Sequence, residues 1–182
     1  MRLTKRGEYA LRTLIRLGTA EKRGVEVVSV STLADQEKLP YKFLENILAE
    51  LRQAGFVESK RGKMGGVMLA LPMKAIKMGD IVRLIDGKLA PIGCASETEY
   101  EKCSCPDEIH CGLRMLMIDV RNAIANILDR YTLEHVVEVT MRKEEQNQQE
   151  LGKPKPKTAK KSARHADPAD GFLAALLEIQ PA

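Results

Sequence analysis

LPYKFLENILAELRQAGFVESKRGKMGGVMLAL, residues 39–71, changes period halfway along. From about Tyr41 to Ala54 the apolar residues Leu44, Ile47, Leu48 and Leu51 share one helical stripe. The opposite face carries Tyr41, Lys42, Glu45, Asn46 and Arg52. Pro40 suits the first helical position, and Gly55 a C-terminal stop. Beyond Gly55, two β-prone pieces flank a turn rich in glycine and cations, the pattern of a β-hairpin.

Working outward, Ala10, Thr13, Leu14 and Leu17 repeat at helical spacing after an N-cap at Thr4, and Gly24 ends that region. "VEVVSV" is β-prone, and Ser31 is expected to start a short helix, "STLADQEKL". "MGDIVRLIDG" predicts a helix closed by Gly87. A long helix starts near Gly112, with Leu113, Met117, Val120, Ile124, Ile127 and Tyr131 as an a/d seam. Thr132 is placed to cap a last helix, "LEHVVEVTMRK". After about Glu144 the chain turns polar, Pro- and Lys-rich and aperiodic. The expected fold class is mainly α with a small β-hairpin wing. It comprises a winged helix-turn-helix over 1–90, a cysteine loop and dimerisation helices over 91–143, and a disordered tail over 144–182.

In a winged helix-turn-helix the third helix enters the major groove while the first two pack behind it. Lys42 can reach a guanine edge or a phosphate. Asn46 offers the paired donor and acceptor that adenine requires. Tyr41 and Glu45 share that face. Lys60, Arg61 and Lys63 crowd the hairpin tip beside Gly62, Gly65 and Gly66, where cations meet phosphates or a minor groove. Lys5 and Arg6 are natural phosphate contacts at the start of the first helix. A winged helix used only for protein contacts would also show surface charge. Cations on both the helix start and the hairpin tip favour double-stranded DNA as the partner.

A net charge of +4 permits nucleic acid without demanding it. The charged N-terminus is not a secretory signal, and no apolar run approaches the roughly 20 residues of a membrane helix. The expectation is a cytoplasmic protein without membrane contact. No catalytic triad, phosphate-binding loop or H-E-x-x-H motif occurs, so an enzyme is not expected.

All four cysteines lie in one loop, spaced C-x8-C-x-C-x5-C as Cys94, Cys103, Cys105 and Cys111. In a reducing compartment such clustering points to metal or redox chemistry before structural disulfides. Thiolates bind iron–sulfur clusters, and four can also close a tetrahedral zinc site, although no C-x2-C knuckle is present. A disulfide switch and four unliganded thiols are the other readings.

"MRLTKRGEYALRTL", "LPYKFLENILAELRQAGFVESKRGKMGGVMLA", "GDIVRLIDG" and the cysteine loop followed by "ANILDRYTLEHV" resemble the IscR/NsrR/RirA family of bacterial regulators (the Rrf family). The likeness spans about Met1 to Met141. It implies a homodimeric transcription factor, many of whose relatives carry an iron–sulfur cluster. It implies that Arg61 reaches the minor groove, that the helix from Tyr41 reads an operator, and that the helix after Cys111 dimerises.

Cys105 and Cys111 match the family's five-residue interval and Cys94 its first cysteine, so the resemblance implies these three as ligands of a [2Fe–2S] or [4Fe–4S] cluster. Cys103 is extra, as a spare thiol or an alternative ligand. In some relatives an acidic residue of the partner's first helix completes the site, and Glu8 stands at that place. The implied function is a regulator sensing cluster, redox, nitric oxide or iron status. The rivals are a cofactor-free winged-helix regulator responding to a small molecule or thiol oxidation, and a small iron–sulfur redox or scaffold protein.

Overall fold

The computed structural model describes residues 3–62 and 64–151, with side chains through residue 148. The chain divides into two compact units, Met1–Leu133 and Glu134–Ala182.

Helix α1 (Lys5–Lys22) starts where expected: the Gly7 amide donates to Thr4 Oγ1 at 3.1 Å. Helix α2 (Val30–Glu37) is capped by Ser29, whose Oγ accepts from the Thr32 amide at 3.0 Å. The cap is therefore Ser29 rather than Ser31. The reason is tertiary. Val28 exchanges two backbone hydrogen bonds with Val67, of 3.0 and 2.8 Å, and this holds the chain extended up to Ser29. That bridge is all that forms from the β-prone "VEVVSV".

Lys38, in the left-handed conformation at φ +54°, turns the chain into α3 (Tyr41–Gln53), with Pro40 at the cap. Leu44, Ile47, Leu48 and Leu51 are all buried. An isolated helix this short is marginal in water. Each buried aliphatic side chain contributes about 1.5–3 kcal/mol relative to exposure, so packing rather than propensity holds α3. Glu37, only 3% exposed, joins α2 to α1 through Arg12 at 2.6 Å and Arg16 at 2.8 Å. Tyr9 meets Phe43 edge to face, with ring centroids 5.9 Å apart, and ties α1 to α3.

Strands β1 (Val57–Lys60) and β2 (Gly66–Leu69) form the expected antiparallel hairpin, with Val57 opposite Leu69 and Lys60 opposite Gly66. Helix α4 (Met78–Asp86) ends at Gly87, φ +76°. Its Asp86 accepts from both the Thr4 amide and the Thr4 hydroxyl, which fastens it to the start of α1.

Helix α5 (Gly112–Arg130) has no buried residue. Arg83 of α4 grips it by a bidentate pair to Asp129, 2.6 and 2.7 Å. Helix α6 (Leu133–Leu151) starts where the Leu133 amide donates to the Ile76 carbonyl at 2.8 Å. It runs on through Leu151, so residues 144–151, which the sequence reading put in the tail, are helical. Glu144 to Leu151 holds good helix formers and no Pro or Gly. The rest of the expected tail lies outside the described residues.

The guanidinium of Arg83 holds the Asp129 carboxyl below its ordinary value of 3.8. A depressed aspartate stabilises the fold above its unfolded pKa, and that contribution is lost as pH falls through the folded value. Asp129→Asn is expected to cost about 1 kcal/mol near neutral pH, in keeping with a partly exposed pair. Urea titrations should show the gap to wild type closing as the pH drops below about 4.

Candidate nucleic-acid interface and thiol loop

On α3, Tyr41, Lys42 and Asn46 are exposed and Glu45 is half-buried. Lys42 donates to Glu45 at 2.7 Å, and this contact raises the Lys42 pKa. On the hairpin, Lys60 and Arg61 are exposed, and neither forms an ion pair among the described residues. Lys63 lies outside the described residues. At the start of α1, Lys5 pairs with Glu8 at 2.7 Å and also lies over the Tyr9 ring, while Arg6 pairs with Glu50 of α3. Several expected DNA-contacting cations therefore hold surface carboxylates. Such exposed pairs are individually weak and exchange readily for a phosphate.

Sequence reasoning passed over Met64. It is 86% exposed at the hairpin tip, an apolar side chain among cations. Its signal was legible as the only apolar residue in "KRGKMGG".

The wing is seated by glycine. A Cβ at Gly66 would overlap the Val28 carbonyl oxygen and lie 2.6 Å from its carbon and 3.0 Å from the Ser29 nitrogen. Only a bare backbone lets β2 approach the segment that leads into α2.

The cysteine loop runs from a short 3-10 turn, Gly93–Ala95, to the start of α5. Both ends are attached to α5. Arg114 Nε donates to the Cys94 carbonyl at 2.9 Å, and Arg121 Nη1 to the Ala95 carbonyl at 2.8 Å. At the other end Cys111 is the N-cap of α5 itself, and its carbonyl accepts from the Met115 amide at 3.1 Å. Between them the Tyr100 hydroxyl donates to the Glu108 carboxylate at 2.7 and 2.8 Å, closing a bight that contains Cys103 and Cys105.

All four thiols are free. Cys94 is buried, Cys103 and Cys111 are half-buried, and Cys105 is exposed. Burial, then the charge of Cys103, pushes the Cys94 thiol up. Hydrogen bonding to Cys103, with further contributions from Cys111, pushes Cys105 up to about 11.

Among the described residues no three His, Cys, Asp or Glu side chains converge on a single-ion site. The thiols are strung out rather than gathered at a point. Glu8 lies on α1, where Lys5 at 2.7 Å and Arg12 at 3.4 Å hold its carboxyl below the usual range.

On α5, Leu113, Leu116, Val120 and Ile127 are exposed at helical spacing, Leu116 by 55%. The expected seam shifts slightly. Met117 and Ile124 are half-buried and Tyr131 is buried, so Leu116 takes the place given to Met117.

A helix-turn-helix with a cationic wing, joined to an apolar helix through a thiol-rich loop, is the architecture of a winged-helix transcriptional regulator. The model of the Rrf2 family, described as an iron-dependent transcriptional regulator, matches residues 3–139, and the chain belongs to that family. It is 33% identical over 140 residues to the HTH-type transcriptional regulator CymR of Bacillus subtilis, covering 77% of this chain and 92% of the relative. It is 31% identical over 137 residues to the regulator NsrR of Bacillus licheniformis, covering 75% and 92%. The solved structure of B. subtilis CymR, the global cysteine regulator of that organism, superposes with a TM-score of 0.63 at 30% identity. It covers 76% of this chain and 97% of that one. Membership of a regulator family sets aside the electron-carrier and scaffold reading. No helix among the described residues is long and apolar enough to cross a membrane.

Gly66→Ala is expected to destabilise the protein by about 2 kcal/mol, the usual cost of overpacking against rigid backbone. The thermal midpoint should then fall by roughly 6 °C in a scanning calorimeter.

Proposed function

We propose that this chain is a homodimeric DNA-binding regulator whose operator affinity is set by an iron–sulfur cluster held on Cys94, Cys105 and Cys111. The fourth position is taken by Glu8 of a second copy or by Cys103. The observation that carries this reading is the double attachment of the cysteine loop to α5, through Arg114 at Cys94 and through Cys111 as the helix cap. Whatever the loop binds is thereby coupled to the helix that presents Leu113, Leu116, Val120 and Ile127 to solvent.

The donor set suits the cofactor. Neighbouring thiols resist ionisation because each thiolate repels the next, and iron relieves that repulsion by neutralising the charge. A cluster distributes its terminal thiolates over several irons, which suits thiols strung along a loop, whereas a zinc ion needs four ligands at one point. When bound, the cluster supplies a labile, redox-responsive tie across the loop. A change in that tie alters the two ends of the loop and so α5. DNA half-sites have fixed spacing, so a small shift between two recognition helices changes affinity.

On DNA, Tyr41, Lys42, Glu45 and Asn46 face the major groove. Lys60, Arg61 and Lys63 lie along the backbone or minor groove at the wing, and Lys5 and Arg6 meet phosphates. A second reading, a cofactor-free regulator answering a small molecule or thiol oxidation, draws support from the likeness to CymR.

Protein purified anaerobically is expected to carry iron and acid-labile sulfide and to absorb visible light. A colourless, iron-free protein that still selects a sequence from a random duplex library would favour the second reading. Arg61→Ala should weaken binding to the selected duplex and lower the slope of log affinity against log salt by about 1. Leu116→Glu, which places a charge in the apolar stripe, should convert the dimer to monomer in sedimentation velocity.

A further inference from the structure

Met64 is the most exposed large apolar side chain among the described residues, at 86%. A single exposed apolar side chain is ordinary on a protein surface. This one is set apart by where the hairpin puts it. The Gly65 amide donates to the Gly62 carbonyl at 2.9 Å and closes a turn that contains Met64. Gly62 sits at φ +111°, and a Cβ at Gly65 would lie 2.5 Å from the Lys60 carbonyl oxygen and 2.7 Å from that of Gly62. Two glycines thus draw the tip tight around one apolar side chain.

The other end of the hairpin is anchored. Val57, Val67 and Leu69 are buried, and Val67 bridges to Val28. Strand β1 carries the tip about 10 Å beyond Val57, so Met64 has no route back to the core. Along the wing its neighbours are cations. Lys60 and Arg61 are exposed, and Lys63 precedes it in sequence.

An apolar tip among cations fits the cross-section of a duplex. The cations meet the two phosphate backbones while the tip enters the groove between them. An apolar protein patch fits less well, because it would strip those cations of water without pairing them. Methionine is unbranched, flexible and polarisable, and the minor groove, about 6 Å wide, admits a side chain of that shape. Apolar side chains inserted there partly unstack a base step and bend the duplex.

We propose that Met64 is a wedge that enters the minor groove at the wing and partly unstacks one base step, so that the protein selects sequence there by deformability rather than by hydrogen bonding. The preferred step is pyrimidine–purine, which unstacks at least cost. The proposal rests on the DNA-binding reading of the wing given above and does not depend on a cluster.

Met64→Ala and Met64→Leu are made in the full-length chain and compared with the wild type, with circular dichroism to verify the fold. The probe is the duplex that the wild type selects from a random library, used in the cofactor state in which it was selected. Bending is read by energy transfer between dyes at the duplex ends. Unstacking is read by a fluorescent adenine analogue placed at each adenine in turn. The wild type is expected to bend the duplex by at least about 20° and to brighten the analogue at one step. Met64→Ala should lose both signals and bind about tenfold more weakly. Its slope of log affinity against log salt should match the wild type, because no charge is removed. Met64→Leu should keep the bend and the brightening. Selection repeated with Met64→Ala should lose the pyrimidine–purine preference at the wing and keep the bases chosen under α3.

Met64→Ala that keeps the bend and the brightening overturns the proposal, whatever its affinity. So does a wild type that binds its selected duplex without bending it or brightening the analogue at any position. Loss of both signals in Met64→Leu as well would overturn an apolar wedge. A wild type that selects no sequence from the library overturns the DNA-binding reading itself.

Discussion

Helix α5 has no fully buried residue, so directional polar ties carry much of its placement in the chain. Arg83 to Asp129, Arg114 to the Cys94 carbonyl and Arg121 to the Ala95 carbonyl are all charge-assisted. These ties add to the half-buried apolar face of Met117, Ile118, Ile124 and Leu128, and they fix the helix in direction as well as in place. The consequence is an apolar stripe left for another surface.

The same ties attach the cysteine loop to α5. Two of the three end on its first residues, and its last cysteine caps the helix. A loop closed at both ends on one element passes a change in its own length or shape to that element. At the other end of α5, Asp129 meets Arg83 of α4, and α4 is fastened to the cap of α1 through Asp86 and Thr4. A continuous set of hydrogen bonds thus runs from the backbone of the cysteine loop to the helix that packs behind α3.

Electrostatics at the candidate DNA-facing surface are moderated by ion pairing. Lys42 holds Glu45, Lys5 holds Glu8 and Arg6 holds Glu50, while Lys60 and Arg61 stand without an ion pair among the described residues. The wing therefore offers the least encumbered cations, and in the proposed complex α3 exchanges partners to engage DNA. That ranking is a property of side-chain geometry that a count of charges does not contain.

The recognition helix, the hairpin and the ends of α1 and α4 were legible in the sequence, because local chemistry sets them. A four-residue leucine and isoleucine stripe, Thr4, Gly55 and Gly87 each act within a few residues of where they stand. The length of α6 was misjudged for a related reason. Glu144 to Leu151 lacks an apolar period but has the propensity to continue a helix already started. What tertiary structure decided is long-range. Val28 had to meet Val67 before Ser29 rather than Ser31 became the cap. Arg83 had to find Asp129 before the exposed stripe of α5 took its register. In the cysteine loop, spacing alone favoured Cys105 and left Cys103 in doubt. Only the tertiary structure shows residues 100–108 folded back on themselves, closed by the Tyr100 hydroxyl on the Glu108 carboxylate, because the two residues stand eight apart in a stretch with no helical or strand period.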